Sequence, residues 1–194
     1  MDAITAIHTR RSRPVLTEPA PSGDELDAIL TAAAAAPDHG RHRPWRFVVI
    51  KGASRKAFGE VLAEMYRTAA AQRKDAGGEQ PDPAAEDRER AKPLRAPVII
   101  AVACAAGGDE KVPHAERLAA VAAATQNLLL AATALGYGAM WRTGAPARSA
   151  AVREALGFGR GDEITGFVYL GSIPHDQELP PARRDLDGLV REWP

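Results

Sequence analysis

A chain of 194 residues with 45% apolar content can bury one sizeable core, which points to a single domain over residues 1–194. Lys and Arg number 25, as do Asp and Glu, so no overall field draws the protein to nucleic acid, an anionic membrane or a polyanionic partner. The one cysteine, Cys104, excludes an intrachain disulfide and lies in an apolar run that reads as buried.

The start of the chain meets Arg10-Arg11 before any long apolar stretch and lacks the order of regions of a secretory signal, so a cytoplasmic location is the default expectation. Ser22-Gly23-Asp24-Glu25 fits a capping box, and Leu26, Ile29 and Leu30 follow at helical spacing until Pro37. Residues 45–50 are aromatic and β-branched and read as a strand, and residues 53–72 return to a helical pattern. Residues 73–92 are charged and broken by Gly77-Gly78, Pro81 and Pro83, which predicts a variable loop or an irregular helical lid.

Residues 97–102 are apolar on both faces and predict a buried strand with helices on each side. A long helix follows from about Pro113, with Leu118, Val121, Thr125, Leu128, Ala132 and Leu135 in helical register and alanine on its other faces. Such a helix must be enclosed, at the domain centre or between two subunits, and the second is favoured here. Residues 118–135 carry no charge, but Thr125-Gln126-Asn127 and the alanine content argue against a membrane span. An extended segment from Gly138, a short helix over residues 147–156 and a strand over 164–170 complete the core, with a polar tail over 173–194. Strands and helices alternate without repeats, as in a layered α/β or α+β domain.

Few enzyme signatures are present. Gly157-Phe158-Gly159-Arg160-Gly161 lies before a strand rather than between a strand and a helix, which argues against a nucleotide loop. His39 and His42 beside Asp38 lack further ligands at a useful spacing, so no metal is expected. Two arginine clusters stand out: Arg10-Arg11-Ser12-Arg13, and Arg41, Arg43 and Arg46 around Pro44-Trp45. The guanidinium fork matches phosphate oxygens, and Trp45 and Trp141 could wall a flat aromatic ligand, although core packing is the commoner fate of tryptophan.

Taken together, these segments resemble the nitroreductase family. The matching pieces are residues 2–13, Ala36-Pro37-Asp38-His39 leading to Pro44-Trp45-Arg46-Phe47, Gly138-Ala139-Met140-Trp141-Arg142-Thr143-Gly144, and Gly166-Phe167-Val168-Tyr169-Leu170-Gly171. The short length and the Ala-Pro-Asp-His wording are nearest to its small YdjA-type bacterial subgroup. The resemblance implies an α+β nitroreductase-like fold with a mixed central β-sheet flanked by helices, assembled as an intertwined homodimer with FMN at the interface. It implies NADH or NADPH as electron donor and a nitroaromatic, quinone or similar small-molecule acceptor, with donor and acceptor taking turns in a ping-pong scheme.

Carried over by motif, Arg10, Arg11 and Ser12 bind the phosphate and ribityl chain, and Trp141, Arg142 and Thr143 approach the flavin in the same subunit. Ala35 and His39 reach it from the second subunit. Arg43 stands where many members have a glutamine that contacts the ring, and the Arg10 or Arg43 neighbourhood is expected to supply positive charge beside the reduced flavin. Ala131, Ala132, Thr133, Ala134, Leu135 and Gly136 correspond to the proposed nicotinamide contact. No side chain is assigned a catalytic role, because the electron chemistry belongs to the flavin. The alternatives are a flavin-binding carrier or sensor without turnover, and a different flavin-dependent reaction on the same fold.

Overall fold

A computed structural model describes residues 1–75, 82–107, 111–175 and 185–193. Its strands are β1 (Trp45–Lys51), β2 (Val98–Cys104), β3 (Gly138–Arg142) and β4 (Glu163–Gly171), in the sheet order β1-β2-β4-β3. Each neighbouring pair is antiparallel. The mixed sheet expected from the sequence is therefore reduced, among the described residues, to one isolated parallel bridge between Ser12 and Ala139.

All seven residues of β2 are buried, as a strand apolar on both faces requires. Val98, Ile100, Val102 and Cys104 face a core shared with α2 (Gly23–Ala34) and α5 (His114–Ala134). Ile99, Ala101 and Ala103 face the opposite core with α3 (Ser54–Asp75) and α6 (Ala150–Ala155). Burial raises the pKa of the Cys104 thiol above its ordinary value, consistent with a structural role. Trp45 also belongs to the core shared with α2 and α5.

The first helix of the core begins as its sequence dictates. The Ser22 hydroxyl accepts from the Glu25 N–H at 3.3 Å, and the Glu25 carboxylate accepts from the Ser22 N–H at 2.8 Å. Tyr137, just beyond α5, donates to the same carboxylate at 2.8 Å and ties the end of one helix to the start of the other. Replacing Ser22 by alanine is expected to cost about 0.5–2 kcal/mol, read as a shift in the denaturation midpoint. The Ser22 N–H and hydroxyl, then Tyr137, hold the Glu25 carboxyl below its ordinary value. A depressed folded pKa means that this contribution is present above the ordinary glutamate range and is lost as pH falls through the lowered value. Glu25→Gln should therefore flatten the acid limb of a stability-versus-pH curve, and an unchanged limb would refute the assignment.

The described parts of residues 73–92 are helical and not a loop. Arg73 to Asp75 complete α3, residues 76–81 lie outside the described residues, and α4 (Pro83–Ala91) follows with Asp82 as its N-cap and Pro83 in its first turn. The charges that suggested a loop instead join α4 to α3: Arg67 pairs with Glu86 at 2.6 Å and Arg90 with Glu60 at 3.0 Å. The expected helix over 147–156 is divided into a 3-10 turn, Ala145–Arg148, and α6, because the Ser149 hydroxyl caps a new start by accepting from the Val152 N–H.

One face of helix α5 is enclosed at the domain centre of its own chain. Val121, Ala124, Thr125, Leu128 and Ala132 are fully buried against the sheet and α2. Ala119, Ala122 and Gln126 remain exposed on another side. No helix among the described residues is long and apolar enough to cross a membrane. Of the tail, only residues 173–175 and 185–193 are described, and Leu186, Leu189, Val190 and Trp193 are exposed.

Candidate functional site

The site is built along the edge strand β3. Helix α1 (Ala3–Thr9) starts with the Asp2 carboxylate accepting from the Thr5 N–H and ends at Arg10, whose own N–H donates to Ala6. The chain then runs beside β3: Ser12 bridges Ala139, and the Arg13 N–H donates to the Ala139 carbonyl at 3.1 Å. Arg11 turns back, its Nη1 donating to the carbonyls of His8 and Arg10 at 2.9 and 2.8 Å. The half-buried Arg10 side chain makes no hydrogen bond or ion pair with another described residue.

At the other end of β3, alternation sends Trp141 and Arg142 to opposite faces of the sheet. Trp141 packs on the α2/α5 side and donates through Nε1 to the Thr165 carbonyl at 3.2 Å. Thr165 occupies a bulge in the β2–β4 pairing, which turns its carbonyl toward that indole. The Arg142 guanidinium lies 5.6 Å from the centre of the Tyr169 ring on the opposite side. Arg142, Thr143 and Tyr169 line a cavity of about 220 Å³ together with Arg73, Glu89 and Lys92. Burial, the largest influence, raises the Tyr169 pKa, against the opposing charges of Arg142 and Arg95.

The sequence did not single out Arg73, Glu89 or Lys92, which lie in the segment read as a loop or lid. Their signal is tertiary: α3 carries Arg73, and α4 and the following 3-10 turn fold back over α3 and bring Glu89 and Lys92 to the same cavity beside β3. Lys92 pairs with Glu89, while the Arg73 side chain makes no hydrogen bond or ion pair with another described residue.

The remaining candidates sit elsewhere. Ala35 caps the C-terminus of α2. His39 opens a 3-10 turn, His39–Arg41, and its Nδ1 lies 2.7 Å from Glu116. Arg43 is exposed, with φ 45°, and its N–H donates to Asp38 at 2.7 Å. Trp45 registers with Cys104 and thence with Glu163, whereas Ala139 registers with Leu170. With the Arg10 segment one further spacing beyond β3, the two arginine clusters are thus about 19 Å apart across four strand spacings and about 20 Å apart along the strands. One chain cannot bring both to one anion.

At the end of α5, Ala132 is sealed in the core, so its side chain presents nothing to a cofactor. Ala131 and Thr133 are half-buried, and Ala134, Leu135 and Gly136 are exposed. The Thr133 hydroxyl donates to the Leu129 carbonyl. Among the described residues, no group of three or more His, Cys, Asp or Glu side chains is arranged to hold a metal.

An antiparallel sheet between two helical layers, with an arginine-led segment laid along its edge strand and a cavity at that strand's end, defines an α+β protein. The nitroreductase family profile matches residues 7–172. A relative from Escherichia coli (strain K12), bearing the name "Putative NAD(P)H nitroreductase YdjA", is 40% identical over 172 residues, covering 89% of this chain and 88% of the relative. A relative from Haemophilus influenzae is 34% identical over 175 residues, 89% of each chain. Among solved structures, the nitroreductase-like family protein from Bacillus cereus superposes with TM-score 0.79 at 25% identity, over 100% of this chain and 96% of its own. A Desulfovibrio desulfuricans protein in complex with FMN gives 0.73 at 26% identity, over 100% and 98%. The chain belongs to the nitroreductase family.

Proposed function

We propose that the chain is an FMN-dependent oxidoreductase that takes electrons from NADH or NADPH, passes them to a nitroaromatic, quinone or similar acceptor, and works as a homodimer. The observation that carries this reading is the continuity of Arg10-Arg11-Ser12 with β3, whose far end opens into the Arg142 and Thr143 cavity. Ser12 lies beside Ala139, four residues from Thr143, a span of about 13 Å at strand rise. A phosphate held at one end and a flat ring at the other fit that arrangement. The FMN-bound structure and the NAD(P)H nitroreductase name among the relatives support it.

In this reading Arg10, with no competing acid, takes the phosphate, aided by Arg11 and Ser12. FMN supplies the electron transfer, and the chain holds it, orients it and limits access of water. Arg142, Lys92 and Arg73, which line the cavity, join the Arg10 and Arg43 neighbourhood as cations available beside the ring. The cavity of about 220 Å³ is smaller than the roughly 300–1,000 Å³ of common ligand sites, as expected if one chain supplies part of the wall. A second copy would supply Ala35, His39 and Arg43, which lie too far from β3 in their own chain. The exposed Met1, Ile4 and Ile7 of the N-terminal segment offer apolar area for such contact.

The test is anaerobic addition of NADH or NADPH to the purified yellow protein, followed by reoxidation with a nitroaromatic or quinone. Bleaching and recovery, a dimer by light scattering, and parallel steady-state lines at several acceptor concentrations are the expected results. A stable monomer carrying full FMN, or intersecting lines, would overturn the dimer or the shared pocket respectively. A colourless protein that gains no flavin on incubation with FMN would overturn the whole reading.

A further inference from the structure

His39 sits in a loop whose backbone is left-handed at Gly40 (φ 70°), Arg41 (φ 56°) and Arg43 (φ 45°). Non-glycine residues hold such angles only where surrounding contacts impose them. Two contacts do so here. Asp38 accepts from the Arg43 N–H within the loop, and Glu116 reaches the His39 imidazole from α5.

We propose that Glu116 is a positioning residue of the flavin site, fixing the His39 imidazole through Nδ1 so that Nε2 is the atom presented across the subunit interface. This rests on the reading of His39 as a flavin contact from the second subunit. Glu116 stands in the first turn of α5, where the helix terminus favours a carboxylate, on the helix most deeply built into the core. Its position is therefore set by the fold and not by the loop. A carboxylate at Nδ1 accepts a hydrogen bond from the proton on that nitrogen, which leaves Nε2 as the free acceptor of the neutral ring.

Two of the neighbouring groups are engaged elsewhere, while His42 and Arg117 line the same recess. His114, on the same turn, is engaged with Glu163 at 2.8 Å, and the Asp38 carboxylate is engaged with the Arg43 N–H. His39 and Glu116 flank an open depression of about 350 Å³ lined by Pro37, Ala119, Ala120 and Ala123. Side chains that small let a flat group approach the imidazole closely. An exposed ion pair contributes little to stability, so a purely structural role for Glu116 predicts small effects everywhere. A positioning role predicts an effect confined to the ring's tautomer and to flavin affinity.

The experiment compares full-length wild type, Glu116→Ala, Glu116→Gln and His39→Ala by ¹⁵N-histidine NMR at pH 8 and by FMN titration. Wild type and Glu116→Gln should show His39 protonated at Nδ1, since glutamine still accepts there. Glu116→Ala should shift the ring toward the Nε2-protonated form and weaken FMN binding about three- to tenfold, with Glu116→Gln within about twofold of wild type. An unchanged tautomer or unchanged FMN affinity in Glu116→Ala, with affinity lost in His39→Ala, would overturn the proposal alone. Wild-type FMN affinity in His39→Ala would overturn the underlying reading and the proposal with it.

Discussion

Arg10→Ala is expected to weaken FMN binding by about 1.5–3 kcal/mol, roughly a ten- to 150-fold rise in Kd, while riboflavin binding changes little. The range is that of a hydrogen bond to a charged group, and the Arg10 geometry favours its upper part. Its backbone is fixed at the end of α1 by the Ala6 carbonyl, and the next residues are pinned to β3 at Ala139. No acid among the described residues neutralises its side chain, so the removed interaction is not already spent inside the protein. Arg11→Ala should cost less, because part of its guanidinium is occupied by the His8 and Arg10 carbonyls. Isothermal titration with FMN and riboflavin in parallel checks both statements. Equal losses for the two ligands would show that Arg10 does not meet the phosphate.

Gly166→Ala is expected to destabilise the fold by about 2–5 kcal/mol, combining left-handed strain with overpacking. Gly166 adopts φ 149°, next to the bulge that turns the Thr165 carbonyl toward Trp141. A β-carbon there would meet the Trp141 indole and the Arg142 carbonyl. Neither neighbour can withdraw easily, since Trp141 is hydrogen-bonded to Thr165 and Arg142 belongs to β3. For a chain of 194 residues the loss corresponds to a fall in Tm of roughly 5–15 °C. Because Arg142 also lines the proposed ring cavity, FMN affinity should fall together with stability. Gly23→Ala is the control: it is helical and meets nothing within 4 Å, so it should change Tm little. A Gly166→Ala protein melting like wild type would mean that the bulge relaxes freely.

The parts of this protein that its sequence determined are those governed by neighbours in the chain. The Ser22 and Glu25 box needs only a three-residue spacing, and the seven buried residues of β2 announce a strand covered on both faces. The arginine segment and the β3 motif were likewise legible as strings, and the family match runs through both. Strand direction and order were not, because antiparallel neighbours from distant parts of the chain leave no local mark. The arrangement β1-β2-β4-β3 alone separates His39 and Arg43 from Arg10 within one chain. The charges of residues 82–92 looked like a solvated loop, since pairing with α3 depends on partners some 20 to 30 residues away, such as Arg67 with Glu86 and Arg90 with Glu60. Only tertiary folding brought Lys92 to Arg142, and only tertiary folding set Glu116 against His39, 77 residues distant in the chain. A hydrogen bond is as strong between remote residues as between near ones, but only near ones leave a spacing that can be read.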